Sequence, residues 1–211
     1  MNDVVVALGK RFARLATRAV VARPALWRLF RAPLRAQFDA LAPDWDDIVS
    51  QDALAPLAAA LEPLEQPPAR VLDLGTGTGK AAQLVAARFP EAEVVGVDLS
   101  PAMVEQAGRL LPQDLAGRVR FEVGDASALR FEDRRFDLVV LLNMIPFFGE
   151  IARVTSSGGA VVIAHVSGRE TPIWTPPETL RARLESLGFA RFEELAAGAG
   201  TALVARKAGP E

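Results

Sequence analysis

The sequence predicts an α/β protein with a doubly wound, mostly parallel sheet of seven strands that ends in an antiparallel hairpin. Short apolar runs alternate with helical patterns from Arg70 onward, and a glycine-rich turn follows the first of these runs. Strands that alternate with helices form mostly parallel sheets covered by helices on both faces. The last two apolar runs flank Ala-Gly-Ala-Gly, a spacing typical of a hairpin.

Each predicted element follows from its apolar pattern and from the residues that begin or end it. Ser100 is placed to cap a helix that has Pro101 in its first position, and Gly188 is a typical residue just after a helix. A turn is predicted over Ser-Ser-Gly-Gly at 156–159. The predicted strands are 71–74, 93–98, 118–125, 136–143, 160–166, 189–196 and 201–207. The predicted helices between them are 80–88, 101–111, 147–153 and 177–187.

A separate helical segment, residues 1–66, precedes the predicted α/β domain of residues 67–211. The segment is rich in Ala, Leu and Arg, and Pro24 and Pro33 are expected to separate short helices. Residues 1–40 contain eight Lys and Arg against two Asp, a net charge of +6, so the remainder of this −2 chain carries −8. Three interpretations stay open: a lid over the ligand site, an amphipathic helix on a membrane surface, and a solvated face or homodimer contact.

Composition excludes several kinds of site and partner. The chain has no Cys and one His, so disulfides, thiolate ligands and multi-histidine metal sites are excluded, and we expect no metal. A net charge of −2 gives no reason to expect nucleic acid as a partner. No apolar run approaches the roughly 18 residues that cross a bilayer, and the N-terminus lacks a signal-peptide pattern, so a cytoplasmic protein is expected.

The glycine-rich turn is the strongest functional signal in the sequence. Residues 73–79 read Asp-Leu-Gly-Thr-Gly-Thr-Gly between a predicted strand and a predicted helix, where the backbone can approach a ligand closely. Asp98 ends the second strand and Asp125 the third, so both carboxylates are expected at the edge of the sheet where such folds bind ligands. A P-loop is excluded because Ala81 follows Lys80. Asp98 by itself suits the ribose of either NAD or an adenosyl cofactor.

Five motifs in this order resemble the class I S-adenosylmethionine-dependent methyltransferases. They are VLDLGTGTG from residue 71, VVGVDLSPAMVEQA from 94, FEVGDASAL from 121, FDLVVLLNM from 136 and RVTSSGGAVVIAHV from 153. The resemblance covers about 70–207, roughly two thirds of the chain. It implies S-adenosylmethionine as cofactor and S-adenosylhomocysteine as product; the methyl acceptor, which the sequence does not identify, is expected to be a small molecule.

The resemblance also implies roles for individual residues. Around the methionine portion of the cofactor it places Asp73, Gly75, Thr76, Gly77 and Gly79. Around the ribose and adenine it places Asp98, Leu99, Met103, Asp125 and Ala126. Within that set, Asp98 is expected to bind the ribose hydroxyls and Asp125 the adenine amino group. At the end of the fourth strand, the residues expected to face the sulfonium and its methyl are Asn143 and Met144. The shortened loop after that strand leaves the acceptor pocket undefined.

His165 is the candidate for a catalytic base. It lies near the end of the fifth strand, at the edge where the cofactor is expected, and a base for a hydroxyl or amine acceptor belongs there. The alternation along 160–166 equally allows a buried, hydrogen-bonded histidine.

The sequence therefore predicts direct methyl transfer, in which the protein aligns the reactants and excludes water. One alternative is a non-catalytic S-adenosylmethionine-binding domain that acts as a regulator or partner subunit. The other is an NAD-dependent oxidoreductase. This second alternative is disfavoured because Lys80 stands where the dinucleotide fingerprint has its third small residue, and because the chain has no Tyr for Tyr–Lys catalysis.

Overall fold

The sheet confirms the predicted fold class. The computed structural model describes residues 3–48 and 51–209. Its strands pair in the order β3-β2-β1-β4-β5-β7-β6; the first five are mutually parallel, and β7 runs antiparallel to both of its neighbours. The strands are β1 Arg70–Leu74, β2 Glu93–Asp98, β3 Val119–Val123, β4 Phe136–Leu142, β5 Thr155–His165, β6 Phe189–Ala197 and β7 Gly200–Lys207.

Helices cover both faces of this sheet. In chain order they are α1 Asp3–Ala22, α2 Trp27–Leu41, α3 Trp45–Ile48, α4 Ala55–Leu61, α5 Lys80–Arg88, α6 Pro101–Leu110, α7 Phe148–Val154 and α8 Pro177–Glu185. The cap predicted for α6 is present, since the Ser100 hydroxyl accepts a hydrogen bond from the Met103 N–H at 3.1 Å. None of the described helices is both long and apolar enough to span a bilayer.

Two details of the predicted elements are wrong. Residues 156–159 lie inside β5 and do not form a turn, because the strand begins at Thr155 and a register irregularity against β4 accommodates the extra residues. Pro33 does not separate helices but lies inside α2. Its ring is exposed, so the carbonyl of Leu29, which loses its helical partner there, faces the solvent side of the helix, where water can satisfy it.

Strand alternation divides the apolar core into two layers. Leu72, Val139 and Ile163 belong to the front layer, which is covered by α7, α8 and the N-terminal helices α1 and α2. The back layer includes Val71 and Val140 and is covered by α4 and α5. The five inner strands therefore bury both of their faces, as expected for the central strands of a parallel sheet, whereas the edge strands β3 and β6 are largely exposed.

The N-terminal segment packs on the two layers in different ways. The front layer receives four of its buried residues, which are Ala16, Val20, Trp27 and Leu34. The back layer receives Leu57 and Leu61 of α4, each at most 1% exposed. Burying one such leucine contributes about 1.5–3 kcal/mol, so α4 is an integral cover of the back face, while α1 and α2 cover the front face and α2 and α3 also reach the carboxyl edge of the sheet.

Candidate cofactor site at the carboxyl edge of the sheet

The glycine-rich turn follows β1 and is held against the end of β2. The backbone N–H groups of Gly75 and Thr76 both donate to the carbonyl of Val97, at 2.8 and 3.1 Å. Gly75, Gly77 and Gly79 all have positive φ, of 71°, 54° and 87°. A Cβ at Gly79 would lie 2.6 Å from the Phe121 ring. Glycine is thus required at Gly79 by both conformation and space.

Asp73 is fully buried beneath this turn. Its Oδ2 accepts a hydrogen bond from the Thr76 hydroxyl at 2.6 Å, while its Oδ1 has no partner among the described residues. Burial raises the pKa of Asp73 to about 7, against the lowering effect of the Thr76 hydroxyl, with a further increase from nearby Asp98 and a small decrease from the backbone N–H of Ala82, which forms no hydrogen bond with Oδ1. A buried carboxylate oxygen without a partner is a natural acceptor for a cationic donor such as an amino group.

Asp98, the last residue of β2, has one backbone partner for each oxygen. Oδ2 accepts the Gly77 N–H and Oδ1 accepts the Ser100 N–H, both at 2.9 Å. Burial raises the pKa of Asp98, these backbone hydrogen bonds oppose the shift, and Asp39 of α2 increases it. Each carboxylate oxygen has two lone pairs, so both retain capacity for a hydroxyl donor.

Asp125 lies two residues beyond β3, beside the end of β2. Its Oδ1 accepts the Ser127 N–H at 2.9 Å, as in an ordinary turn, and also the indole N–H of Trp27 at 2.8 Å. Its Oδ2 lies 3.8 Å from a guanidinium nitrogen of Arg31. Ala126, next in the chain, is buried. The structure therefore brings Asp125 to the same edge as Asp73 and Asp98, with α2 in contact with it.

The predicted apolar contacts differ in how accessible they are. Leu99 is partly buried at this edge, whereas Met103 is only 1% exposed and points into the protein. Met144 lies over the turn, and a Cβ built on Gly75 would meet its Sδ at 2.9 Å. Asn143 has a φ of 53°, and its Oδ1 accepts the Val166 N–H at 3.0 Å. The side chain of Asn143 thus links the ends of β4 and β5, while Met144 contacts the glycine turn.

His165 is buried at the end of β5. Its Nε2 accepts the Thr175 N–H at 3.4 Å, and burial lowers the pKa of His165 to about 4, so the imidazole is neutral at pH 7. The ring lines a cavity of about 200 Å³ between the sheet and the start of α8, together with Ile163, Leu180 and Leu203. Its role as a catalytic base remains a prediction.

The hydroxyl of Thr175, beside His165, is buried and has no hydrogen-bond partner among the described residues. We expect Thr175→Val to raise the free energy of unfolding by about 1 kcal/mol, because an unsatisfied buried polar group carries a desolvation cost of about 1–3 kcal/mol. Thr171→Val is the matched control: the Thr171 hydroxyl accepts the Ser167 N–H at 3.1 Å, so its loss should destabilise the protein. Urea unfolding measures both, and a destabilised Thr175→Val would contradict the prediction.

Five residues of the N-terminal segment contact this edge and were not predicted as site residues. They are Trp27, Arg31, Asp39, Trp45 and Asp46. The Ser100 hydroxyl donates to Asp39 at 2.6 Å, and the Thr78 hydroxyl donates to Asp46, also at 2.6 Å. A Cβ on Gly77 would lie 3.3 Å from Trp45 Nε1. The sequence offered only one signal for them, aromatic and acidic residues in a segment otherwise rich in Ala, Leu and Arg.

The part of the chain that the structure describes contains no cluster of three or more His, Asp or Glu that could hold a metal ion. The charged groups at the carboxyl edge are instead spread over the ends of three strands, as an extended organic ligand requires.

Residues 71–159 match a protein-family model described as a methyltransferase domain. Among curated proteins, the chain is 36% identical over 143 residues to a malonyl-[acyl-carrier protein] O-methyltransferase of Halorhodospira halophila, covering 64% of this chain and 48% of the relative. It is 42% identical over 108 residues to a demethylmenaquinone methyltransferase of Thermus thermophilus, covering 47% and 48%. The chain thus spans about half the length of these relatives.

Solved structures share the fold at lower sequence identity. A putative methyltransferase in complex with the Haloferax volcanii Trm112 activator has a TM-score of 0.65 and 22% identity, over 81% of this chain and 97% of that one. The [4+2]-cyclase SpnF has a TM-score of 0.60 and 21% identity, over 75% and 81%. Phosphoethanolamine N-methyltransferase 2 of Haemonchus contortus, solved with S-adenosyl-L-methionine, has a TM-score of 0.60 and 21% identity, over 74% and 52%. At such identities the likeness establishes the fold alone.

Proposed function

We propose that this chain, which belongs to the class I (Rossmann-like) methyltransferases, transfers a methyl group from S-adenosylmethionine to a small-molecule acceptor and releases S-adenosylhomocysteine. The observation that carries the proposal is the placement of Asp73, Asp98 and Asp125 at the carboxyl ends of three adjacent strands, with the glycine turn after the first of them hydrogen-bonded to Asp98. The curated relatives are named for small acceptors or for an acyl group on a carrier protein, which supports this class of acceptor.

The residues present fit such a cofactor. The unpartnered Oδ1 of Asp73 suits its amino group, the free lone pairs of Asp98 suit the ribose hydroxyls, and Asp125 suits the adenine amino group. A Cβ at Gly75 would meet Met144 and one at Gly77 would meet Trp45, so side chains at these positions would crowd the same edge. When bound, the cofactor supplies an electrophilic methyl group on its sulfonium.

The chain's own contribution is alignment and exclusion of water. Met144 and the glycine turn provide a largely apolar wall, and the neutral His165 is held by Thr175 at the neighbouring strand end. Fixing two reactants in line removes much of the entropic barrier without a proton transfer. A buried histidine with its pKa lowered to about 4 can accept a proton only from a strongly acidic donor, so alignment accounts for most of the expected rate.

The N-terminal helices α1–α3 are proposed to act as a lid over this edge. Three contacts support this role: Trp27 donates to Asp125, Asp39 accepts from Ser100, and Trp45 approaches Gly77. The helices therefore contact three of the loops that are expected to hold the cofactor. Release of a cofactor beneath them requires these contacts to open.

Trp27→Phe tests the lid. Phenylalanine keeps aromatic packing against Phe147, whose ring centroid lies 5.1 Å away, but removes the N–H that binds Asp125. We expect S-adenosylhomocysteine to associate and dissociate roughly tenfold faster, because a hydrogen bond to a charged group contributes about 1.5–3 kcal/mol to closure. Stopped-flow tryptophan fluorescence, with Trp45 retained in every variant, measures both rates. Trp174→Phe is the control, because the Trp174 ring packs with Arg169 and makes no described contact with Asp73, Asp98 or Asp125, and unchanged rates for Trp27→Phe would refute the lid.

Binding and turnover together test the function. We expect S-adenosylhomocysteine to raise the melting temperature and NAD to leave it unchanged. Transfer of labelled methyl should then be measured over acceptors with carboxyl, hydroxyl, amine and quinol groups. Binding without transfer to any acceptor would favour the non-catalytic alternative, and stabilisation by NAD alone would favour the oxidoreductase.

A further inference from the structure

We propose that the outer surface of α1 and α2 docks on an anionic lipid surface. This surface, here named the basic–apolar face, is defined by two sets of exposed residues. Its cations are Lys10, Arg11, Arg14, Arg18, Arg28 and Arg35. Its apolar residues are Leu15, Leu29, Ala32, Pro33, Ala36 and Ala40.

The apolar part of this face is unusual for a solvated helix surface. Leu15 is 61% exposed and Leu29 is 69% exposed, the two highest values among the exposed large apolar side chains of the described residues. Phe12 of α1 and Phe30 of α2 pack with ring centroids 5.8 Å apart. Since each leucine lies within one helical turn of one of these rings, both flank the same helix–helix contact.

Along α2 the apolar residues form a continuous stripe. Leu29, Pro33 and Ala36 follow at spacings of four and three residues, and Ala32 and Ala40 extend the same face. The opposite side of α2 buries Trp27 and Leu34 in the front layer of the core. The described chain therefore uses one side of α2 for its core and leaves the apolar stripe on the other side exposed.

The charge of the face selects an anionic partner. Leu15 lies between Arg11 and Arg18, four residues before and three after it, on the same side of α1. Arg11, Arg18 and Arg28, like Lys10, form no ion pair with any described residue. Residues 9–40 contain a single acid, Asp39, whose Oδ1 accepts from Ser100 and whose Oδ2 lies 3.6 Å from Arg35, so one cation of the face is partly neutralised.

A lipid surface matches both properties of the face. Exposed leucines can insert at the headgroup boundary while neighbouring cations stay with anionic headgroups, and each of these signals is weak alone. A nucleic acid would use the cations only and would leave the exposed leucines and the apolar stripe of α2 without a partner. The anionic lipid surface is therefore the occupant that uses the whole face.

Vesicle sedimentation tests the proposal without cofactor or acceptor, so its outcome is independent of the methyltransferase function. The full chain is mixed with vesicles of phosphatidylcholine alone or with an equal share of phosphatidylglycerol. We expect sedimentation with the anionic vesicles only, weakened by added salt. The proposal would be overturned by no binding to anionic vesicles or by equal binding to both kinds of vesicle. It would also be overturned by tighter binding to soluble heparin than to the anionic vesicles.

Substitutions then map the contact. Arg28→Gln should lower the partition coefficient about fivefold, the effect of one cation near an anionic surface, and Leu29→Ser should lower it by a similar factor. The controls are Arg130→Gln, in the exposed β3–β4 loop, and Leu110→Ser, 41% exposed at the end of α6. Circular dichroism confirms folding. If the controls weaken binding as much as the test variants, the face is not the docking surface.

Discussion

Replacing Asp98 by Ala is expected to weaken the binding of S-adenosylhomocysteine by about 1.5–3 kcal/mol, or roughly ten- to a hundredfold in Kd. The carboxylate of Asp98 would lose its hydrogen bonds to the ribose hydroxyls. The backbone N–H groups of Gly77 and Ser100 would also lose their acceptors, so the glycine turn and the start of α6 would loosen together. The loss should therefore appear in binding and in the melting temperature.

Calorimetric titration measures this affinity, with Asp114→Ala as the control because Asp114 is exposed and takes part in none of the described hydrogen bonds or ion pairs of this edge. Where Asp98→Ala does not fold, Asp98→Asn keeps one acceptor oxygen and tests the same role. A folded variant with unchanged affinity would show that Asp98 does not bind the ribose.

The second large effect is expected for Asp73→Asn and depends on pH. The unfolded chain releases the Asp73 proton near its ordinary pKa of 3.8, whereas burial raises the folded pKa to about 7. Between these values the folded state holds a proton that the unfolded state has lost, so the stability contributed by this group is complete below the unfolded pKa and is lost as pH rises to about 7. The loss is on the order of 4 kcal/mol, since one pKa unit corresponds to about 1.4 kcal/mol.

Asn has no such titration, so the stability difference between Asp73→Asn and the unsubstituted protein should shift in favour of the variant as pH rises from about 4 to about 8. The titration of His165, whose lowered pKa acts in the opposite direction, is present in both proteins and cancels in the difference. Urea unfolding across this range measures it. A difference that does not change with pH would contradict the prediction.

The affinity for the ligand should depend on pH in the direction opposite to the stability of the unsubstituted protein. Ionised Asp73 is the acceptor for a cationic amino group, so the affinity for S-adenosylhomocysteine should rise with pH up to about 7. In Asp73→Asn the affinity should be weaker by at least about tenfold and lose this dependence. A gain in stability together with a loss of binding would show that the buried carboxylate of Asp73 destabilises the fold but is needed to bind the ligand.

Strand alternation and the glycine turn allowed the order of elements to be predicted from the sequence. A parallel sheet places the ends of all its strands at one edge, so Asp98 and Asp125 could be expected near the turn without coordinates. The irregular start of β5 and the continuation of α2 through Pro33 could not be predicted in this way. Each depends on whether a neighbouring element or solvent can form hydrogen bonds with the backbone groups that the irregularity leaves unpaired.

The contacts of the N-terminal segment were beyond sequence reasoning. Nothing local links Trp27 to Asp125, 98 residues later, or Asp46 to Thr78. An amphipathic helix reveals that one side is buried, but not against which surface. From the sequence alone, His165 could be either a catalytic base or a core residue. Its burial and its hydrogen bond from the Thr175 N–H are visible only in the fold.

The sequence by itself determined the sheet, the glycine turn and the edge at which the acidic residues meet, because these follow from short-range periodicity and from the geometry of parallel strands. Only the tertiary structure decided which side of α2 faces that edge, which carboxylate oxygen stays without a partner, and which leucines remain exposed. Those outcomes depend on packing between segments distant in the chain, where burial and hydrogen-bond partners are set by the whole fold.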